Sequence, residues 1–385
     1  MKKIYTIILL YLSVISCQST SEEKFPPLNE DEGLMKTTPV TVCEGVGKKG
    51  MNPYYNTRIP AAEVAKDGSL ILLWQGRYDG EDRGVDHLLI SRSTDEGKTW
   101  EQIPIFEDNN TDLGDNSLIL DEVSGRLWAM AYVSGNSSQL IYYSDDNGTT
   151  WTKHEQLIKN KKGELLRMRG TTGITIKSDQ KSFMLLPTIT GKGKLAYMYC
   201  MCGEKDWKFL GEHDVLDYNE PTCVQIKNND KESVCILNVS RMKNDEEFKR
   251  KSLAMINLSN LSIEWEPLNT TDDFFFKQTT CNQHLKRYSD ISEESDTILY
   301  ASTINGSGYN PSRYGGMVAY SVDEGNTWFH KDIVSTDIHF GYCSQVKLRD
   351  GTIGLFYETH NKKGNPVRYG SIHFIRYSLK WLTKE

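Results

Sequence analysis

One eight-residue pattern, Ser-x-Asp-x-Gly-x-Thr-Trp, occurs three times in this 385-residue chain and constrains its fold more than any bulk property. It is read in "SRSTDEGKTW" as Ser93, Asp95, Gly97, Thr99 and Trp100. It recurs in "YYSDDNGTTW" as Ser144, Asp146, Gly148, Thr150 and Trp151, and in "AYSVDEGNTW" as Ser321, Asp323, Gly325, Thr327 and Trp328. Each copy follows a stretch that reads as an apolar strand: "HLLISRS", "QLIYYS" and "GMVAYS". Five fixed positions recurring three times mark an internal repeat. Between two strands, Asp and Ser oxygens satisfy turn amides, Gly takes a positive φ, and Trp packs between sheets. A catalytic group is not expected once per repeat. Asp95 is therefore expected to tie a turn, Glu96 to face solvent and Trp100 to anchor its unit.

The spacing extends the count. Worn copies place Trp207 in "CMCGEKDWKF" and Trp265 in "NLSNLSIEWEPL", and "IHFIRYSLKWLT" supplies Trp381. The six tryptophans 100, 151, 207, 265, 328 and 381 thus mark six units 51 to 63 residues apart. A unit of that length, made of short strands and turns, suits a four-stranded blade. The expected fold is all-β, a six-bladed β-propeller over residues 40–385, with the N-terminal strand closing the last blade. The six blades are expected to take up roughly all of the mature length, with no convincing extra lectin domain.

The segment before residue 40 reads differently. Lys2 and Lys3 precede an apolar run from Ile4 to Ile15 that is too short for a comfortable membrane span. The run ends in "VISC", which resembles a bacterial lipoprotein signal. Residues 1–17 are then a signal peptide with Cys17 lipidated, and residues 18–39 an acidic, Pro-containing tether. The location implied is the bacterial cell envelope, with the membrane reached through the lipid anchor. A formal net charge of -7 gives no electrostatic footprint for nucleic acid. Beyond Cys17, seven cysteines at irregular spacing complete no zinc pattern, and they read as small buried apolar residues with at most one adventitious disulfide.

The repeats resemble the Asp boxes of sialidases and a scatter of other propellers, so by themselves they mark scaffold. Single-copy motifs between them resemble the sialidase family specifically, in order and over nearly the whole mature chain. "YYNTRIPA" holds an Arg-Ile-Pro at Arg58, Ile59 and Pro60, and "LLWQGRYDGEDRGVD" holds Arg77 and an acidic loop. "YNEPTCVQI" carries Glu220 and "ILNVSR" ends at Arg241. "GYNPSRYGGMVAYS" carries Arg313, and "GYCSQVKLRDGTIGLFYE" runs from Tyr342 to Glu358.

The resemblance implies an exo-α-sialidase, a retaining glycoside hydrolase acting on terminal sialic acids of glycoconjugates. A sialic acid carries a carboxylate on its anomeric carbon, which calls for planar, permanently charged donors. Arg58, Arg241 and Arg313 match the family's arginine triad, with Arg250 a nearby rival to Arg241. A neutral phenol approaches an anionic anomeric centre without the repulsion a carboxylate meets, and sialidases are the tyrosine exception among retaining glycosidases. Tyr342 matches the nucleophile, Glu220 its base, and Glu358 the carboxylate orienting Arg58. Asp82 is the candidate acid/base, with Asp79 and Asp86 competing in the same loop. Arg77 and Asp115 are expected to bind the sugar around its 4-hydroxyl. The implied chemistry requires neither metal nor organic cofactor. A non-catalytic glycan-binding propeller would be expected to have lost some of this set, and none is missing here.

Overall fold

The computed structural model describes residues 35–45, 54–78, 84–134, 138–242, 249–266, 274, 281–305, 313–359 and 370–384. They form six sheets, antiparallel except for one short strand of the second. The first holds β2 (Asn56–Val64), β3 (Leu70–Arg77), β4 (Asp86–Ser93) and β5 (Glu101–Phe106). The second holds β6 (Leu113–Leu120), β7 (Leu127–Val133), β8 (Ser138–Ser144) and β9 (Thr152–Lys153), with β10 (Thr171–Thr172) added in parallel beside β6. The third comprises β11 (Ile174–Ile176), β12 (Phe183–Ile189), β13 (Leu195–Met201) and β14 (Lys208–Glu212). The fourth comprises β15 (Tyr218–Ile226), β16 (Ser233–Met242), β17 (Lys249–Asn257) and β18 (Ile263–Trp265). The fifth comprises β19 (Gln283–Arg287), β20 (Ile298–Asn305), β21 (Tyr314–Ser321) and β22 (Phe329–His339). The sixth joins β23 (Cys343–Lys347), β24 (Ile353–Thr359) and β25 (Ser371–Tyr377) to β1 (Val40–Glu44), so an N-terminal strand completes the C-terminal sheet. The molecule is a six-bladed β-propeller.

Its apolar core is divided among the blade interfaces. Six clusters of buried side chains each join two neighbouring blades, closing the ring where blade six meets blade one. Each of the six repeat tryptophans packs in a different one of these clusters: Trp100, Trp151, Trp207, Trp265, Trp328 and Trp381. Burying a side chain of that size contributes on the order of 2–3 kcal/mol, so the repeat places one large apolar contribution at every seam. Trp381 differs from the others in lying on a short helix, α1 (Leu379–Thr383). Its blade takes its fourth strand from the N-terminus, which frees the chain after β25 to turn helical.

The three intact boxes have the same geometry. Ser93 Oγ accepts from the Gly97 N–H at 2.8 Å, and Asp95 accepts from the Thr99 N–H at 2.9 Å and the Thr99 hydroxyl at 2.6 Å. The Trp100 indole N–H donates to Gly97 O at 3.1 Å. Ser144, Asp146 and Trp151 repeat this pattern, as do Ser321, Asp323 and Trp328. Gly97 has φ +86°, and a Cβ there would come within 2.5 Å of Phe374 on the preceding blade. Glycine is thus needed both for the turn and for close blade contact. Glu96 is exposed, as expected, and it also accepts from Arg376 Nη1 of blade six at 2.8 Å. The seven cysteines beyond Cys17 are all free, and six of them are buried.

Candidate active site

Inner strands of a propeller run side by side around the axis, and irregularities at their ends aim side chains at one another. Three such strands break register at the same end. The β2–β3 pairing shifts between Arg58 and Ala61, β6–β7 between Leu113 and Asn116, and β15–β16 between Tyr218 and Pro221. Bulges bend a strand and re-aim its residues. The residues so released include Asp115 and Glu220, and Arg58 borders the first shift. At that first bulge Ile59 has φ +59°, in the left-handed region that a β-branched residue rarely enters. Two bonds hold it there. The Ile59 N–H donates to Glu358 Oε1 at 2.7 Å, and Ile59 O accepts from Asn116 Nδ2 at 3.0 Å.

Around that bulge the distant motifs converge. Arg58 Nε donates to Glu358 Oε1 at 2.7 Å, and the Tyr342 N–H donates to Glu358 Oε2 at 3.2 Å, so one fully buried carboxylate fixes both residues. The Tyr342 hydroxyl donates to Glu220 Oε1. Arg241 Nη1 donates to Glu220 Oε1 at 2.8 Å and to Tyr342 Oη at 3.3 Å. The guanidinium carbons of Arg58 and Arg313 lie 5.2 and 5.5 Å from the centre of the Tyr342 ring. Three arginines from three blades thus surround one phenol. Arg250, the rival to Arg241, lies over Tyr218 instead, at 5.7 Å.

The electrostatics follow from this packing. Burial pushes the Glu220 carboxyl upward, but Arg241, the Tyr342 hydrogen bond and Arg313 outweigh it, leaving the group below the usual carboxylate range. Burial and the Glu220 charge together push the Tyr342 phenol well above its ordinary value, against Arg241 and Arg313. The resting pair is therefore an ionised carboxylate accepting a bond from a neutral phenol.

A second group borders the first. Asp115 accepts from Arg169 Nη1 at 3.3 Å, and burial pushes its carboxyl up against the pull of Arg169, while Glu220 adds to the rise and Arg77 and Arg58 oppose it. Arg169 was not singled out in the sequence. It is one of two arginines in "RMRG", with nothing local to distinguish it, and only the loop entering β10 brings it to Asp115. Arg77 lies 3.7 Å from Asp86 and donates to Gln75 Oε1 at 3.1 Å. Asp86 is fully buried on β4 and accepts from the Leu113 N–H at 3.2 Å, which makes it a structural partner rather than a free acid. Asp82, Asp79 and Cys17 lie outside the described residues.

Such a constellation can bind a carboxylate with several guanidinium donors and can pass a phenolic proton to a neighbouring carboxylate. No group of three or more potential metal ligands occurs among the described residues. A cavity of about 350 Å³ opens at the opposite ends of the inner strands, lined by Glu63, Lys177, Lys286 and Lys347 among others. There Lys286 is paired with Glu63 at 2.9 Å and Lys177 with Glu122, so that end carries a satisfied ionic lining remote from Tyr342.

The chain superposes on the intramolecular trans-sialidase of Ruminococcus gnavus, solved with oseltamivir carboxylate, with a TM-score of 0.67. The match covers 89% of this chain and 98% of that one at 13% identity. This is the sialidase fold. In sequence, a sialidase of Clostridium perfringens is 30% identical over 157 residues, 33% of this chain and 40% of that relative. A sialidase of Bacteroides fragilis is 22% identical over 343 residues, 78% of this chain and 60% of that relative. The chain thus spans less than two thirds of the length of either curated sialidase. No family model matches it. Within this propeller, Tyr342, Glu220 and the three arginines occupy one end of the axis, and the Asp boxes are confined to the turns between third and fourth strands.

Proposed function

We propose that this chain is an exo-α-sialidase that hydrolyses terminal sialic acids from glycoconjugates with retention of configuration. The observation that carries the reading is the Tyr342–Glu220 hydrogen bond set among Arg58, Arg241 and Arg313. In this reading the arginines bind the substrate carboxylate. Tyr342 attacks the anomeric carbon as its proton passes to Glu220, and Glu358 holds Arg58 in place. Asp82 protonates the leaving oxygen, then deprotonates the water that releases the sugar from Tyr342. Arg77 and Asp115 hold the hydroxyl-bearing end of the ring. The names of the curated relatives support sialidase activity.

The test is release of free sialic acid from α2,3- and α2,6-linked donors by the wild-type chain and by Tyr342→Phe. Turnover by wild type on neither donor overturns the hydrolase reading. Undiminished turnover by the Phe variant overturns the nucleophile alone.

We also propose that Cys17 is lipidated and holds the enzyme in the bacterial envelope, on the strength of the "VISC" signal and the acidic tether that follows. A Cys17→Ala variant should leave the membrane fraction of a Gram-negative host. If it stays there and still incorporates labelled acyl chains, the anchor lies elsewhere.

A further inference from the structure

Glu220, Arg241 and Lys249 stand on three successive strands of blade four, and Arg241 and Lys249 are direct cross-strand partners. Cross-strand partners project to the same face of a sheet, where like charges oppose each other. Lys249 is 2% exposed. Its ammonium donates to Tyr300 Oη at 2.9 Å and to Ser302 Oγ, both on β20 of the next blade. Glu220 is already committed to Arg241, and no described carboxylate lies within ion-pair distance of Lys249. Among the described residues, this buried ammonium held by two hydroxyls beside a guanidinium has no paired counter-charge. The other titratable groups near it are Cys281, Cys343, Tyr300 and, beyond Arg241, Tyr342. Burial holds the Tyr300 and Tyr342 phenols and the Cys343 thiol above their ordinary values, so none of these supplies an anion at neutral pH.

We propose that Lys249 is a proton-linked positioning residue of the anion site. It takes up a proton when a carboxylate-bearing ligand enters the arginine cluster and gives it up when the ligand leaves. The proposal rests on the reading that Arg58, Arg241 and Arg313 bind a carboxylate. Lys249 touches no reacting atom and acts through Arg241, whose charge it opposes. Burial pushes the ammonium down to about 7, with the Glu220 carboxylate opposing the fall and Arg241 adding to it. A ligand anion beside Arg241 stabilises the ammonium and moves its titration upward. Between the empty-site and ligand-bound values, affinity then declines as pH rises, by up to about tenfold per pH unit.

The experiment is calorimetric titration of the full chain with oseltamivir carboxylate near pH 8, in buffers of different ionisation heat. Wild type should take up about half a proton or more per ligand, while Lys249→Met and Lys249→Arg take up almost none. The apparent KM for an aryl sialoside should rise from pH 7 to 8.5 in wild type and stay flat in both variants. Should the Met variant fail to fold, the Arg variant carries the comparison, because it keeps the charge and cannot titrate. Binding without proton uptake in wild type, or equal uptake in the variants, overturns the role of Lys249 alone. Absence of any binding heat in wild type overturns the carboxylate-site reading and this proposal with it.

Discussion

The hydroxyl of Tyr342 donates to the carboxylate of Glu220 across 122 residues of chain, and Arg241 donates to both partners of that bond. Blade four supplies the carboxylate and the guanidinium, and the chain entering blade six supplies the phenol. The opposed shifts of the two titrating groups keep the proton on the phenol.

Glu220→Gln removes the acceptor for that proton while keeping the shape of the side chain. We expect kcat to fall by about 10²- to 10⁴-fold, the range for loss of a positioned general base, with Tyr342→Phe at least as impaired. Steady-state kinetics on an aryl sialoside measures both. A Gln variant with wild-type kcat would remove Glu220 from the mechanism.

Glu358→Gln tests the support of Arg58. The carboxylate is fully buried and accepts from Arg58, Ile59 and Tyr342. Removing its charge strands a buried guanidinium, which costs about 3–5 kcal/mol. The urea midpoint should drop accordingly, and KM should rise because Arg58 is no longer held. An unchanged midpoint would show that Arg58 does not depend on this pair.

Asp95, Asp146 and Asp323 should shape acid stability without touching catalysis. Burial raises each carboxyl, but hydrogen bonds from the box Thr and Ser outweigh it and leave all three below their ordinary value. The folded value lies below the unfolded one, so this stabilisation is complete above about pH 4 and is lost as pH falls through the folded values. A triple Asp→Asn variant should lose about 1 kcal/mol per box at neutral pH and show a flatter acid limb in thermal melts from pH 5 to 2. A marked loss of kcat in the folded triple variant would contradict the scaffold role.

The acid role of Asp82 and the ring-binding role of Asp115 predict different leaving-group dependence. Asp82→Ala should retain turnover of activated aryl glycosides and lose turnover of natural ones, because only a poor leaving group needs the proton. Asp115→Asn should lower kcat/KM on both alike, as a ring-binding residue would. The reverse pattern would transfer the acid role to Asp115, whose carboxyl burial already raises.

Some of the site could be read locally and some could not. Arg-Ile-Pro and Asn-Glu-Pro each carry a proline on an inner strand, and each lies at a break in strand register. Arg169 carried no such signal, because a lone arginine beside a glycine looks the same in any loop. The same holds for Lys249, where "KRKS" reads as a solvated run of charge, yet its first residue is buried and the next two are half-buried. Glu96 faces solvent as expected, but its pairing with Arg376, 280 residues away on another blade, had no local signal.

By itself the sequence determined the blade count and the turns. The Ser, Asp, Gly, Thr and Trp of each box act within one turn or against the adjoining seam, so their spacing alone encodes the period. The tertiary structure decided which charges meet. Ring closure by β1 brings the first and last blades together, placing Glu358 on Arg58 across 300 residues. Burial raises the Tyr342 phenol, while Arg241 and Arg313 hold the Glu220 carboxyl down against the same burial, and the two titrations separate. Coulomb interactions and desolvation depend on distances through space, and in a ring those are set by closure rather than by neighbours along the chain.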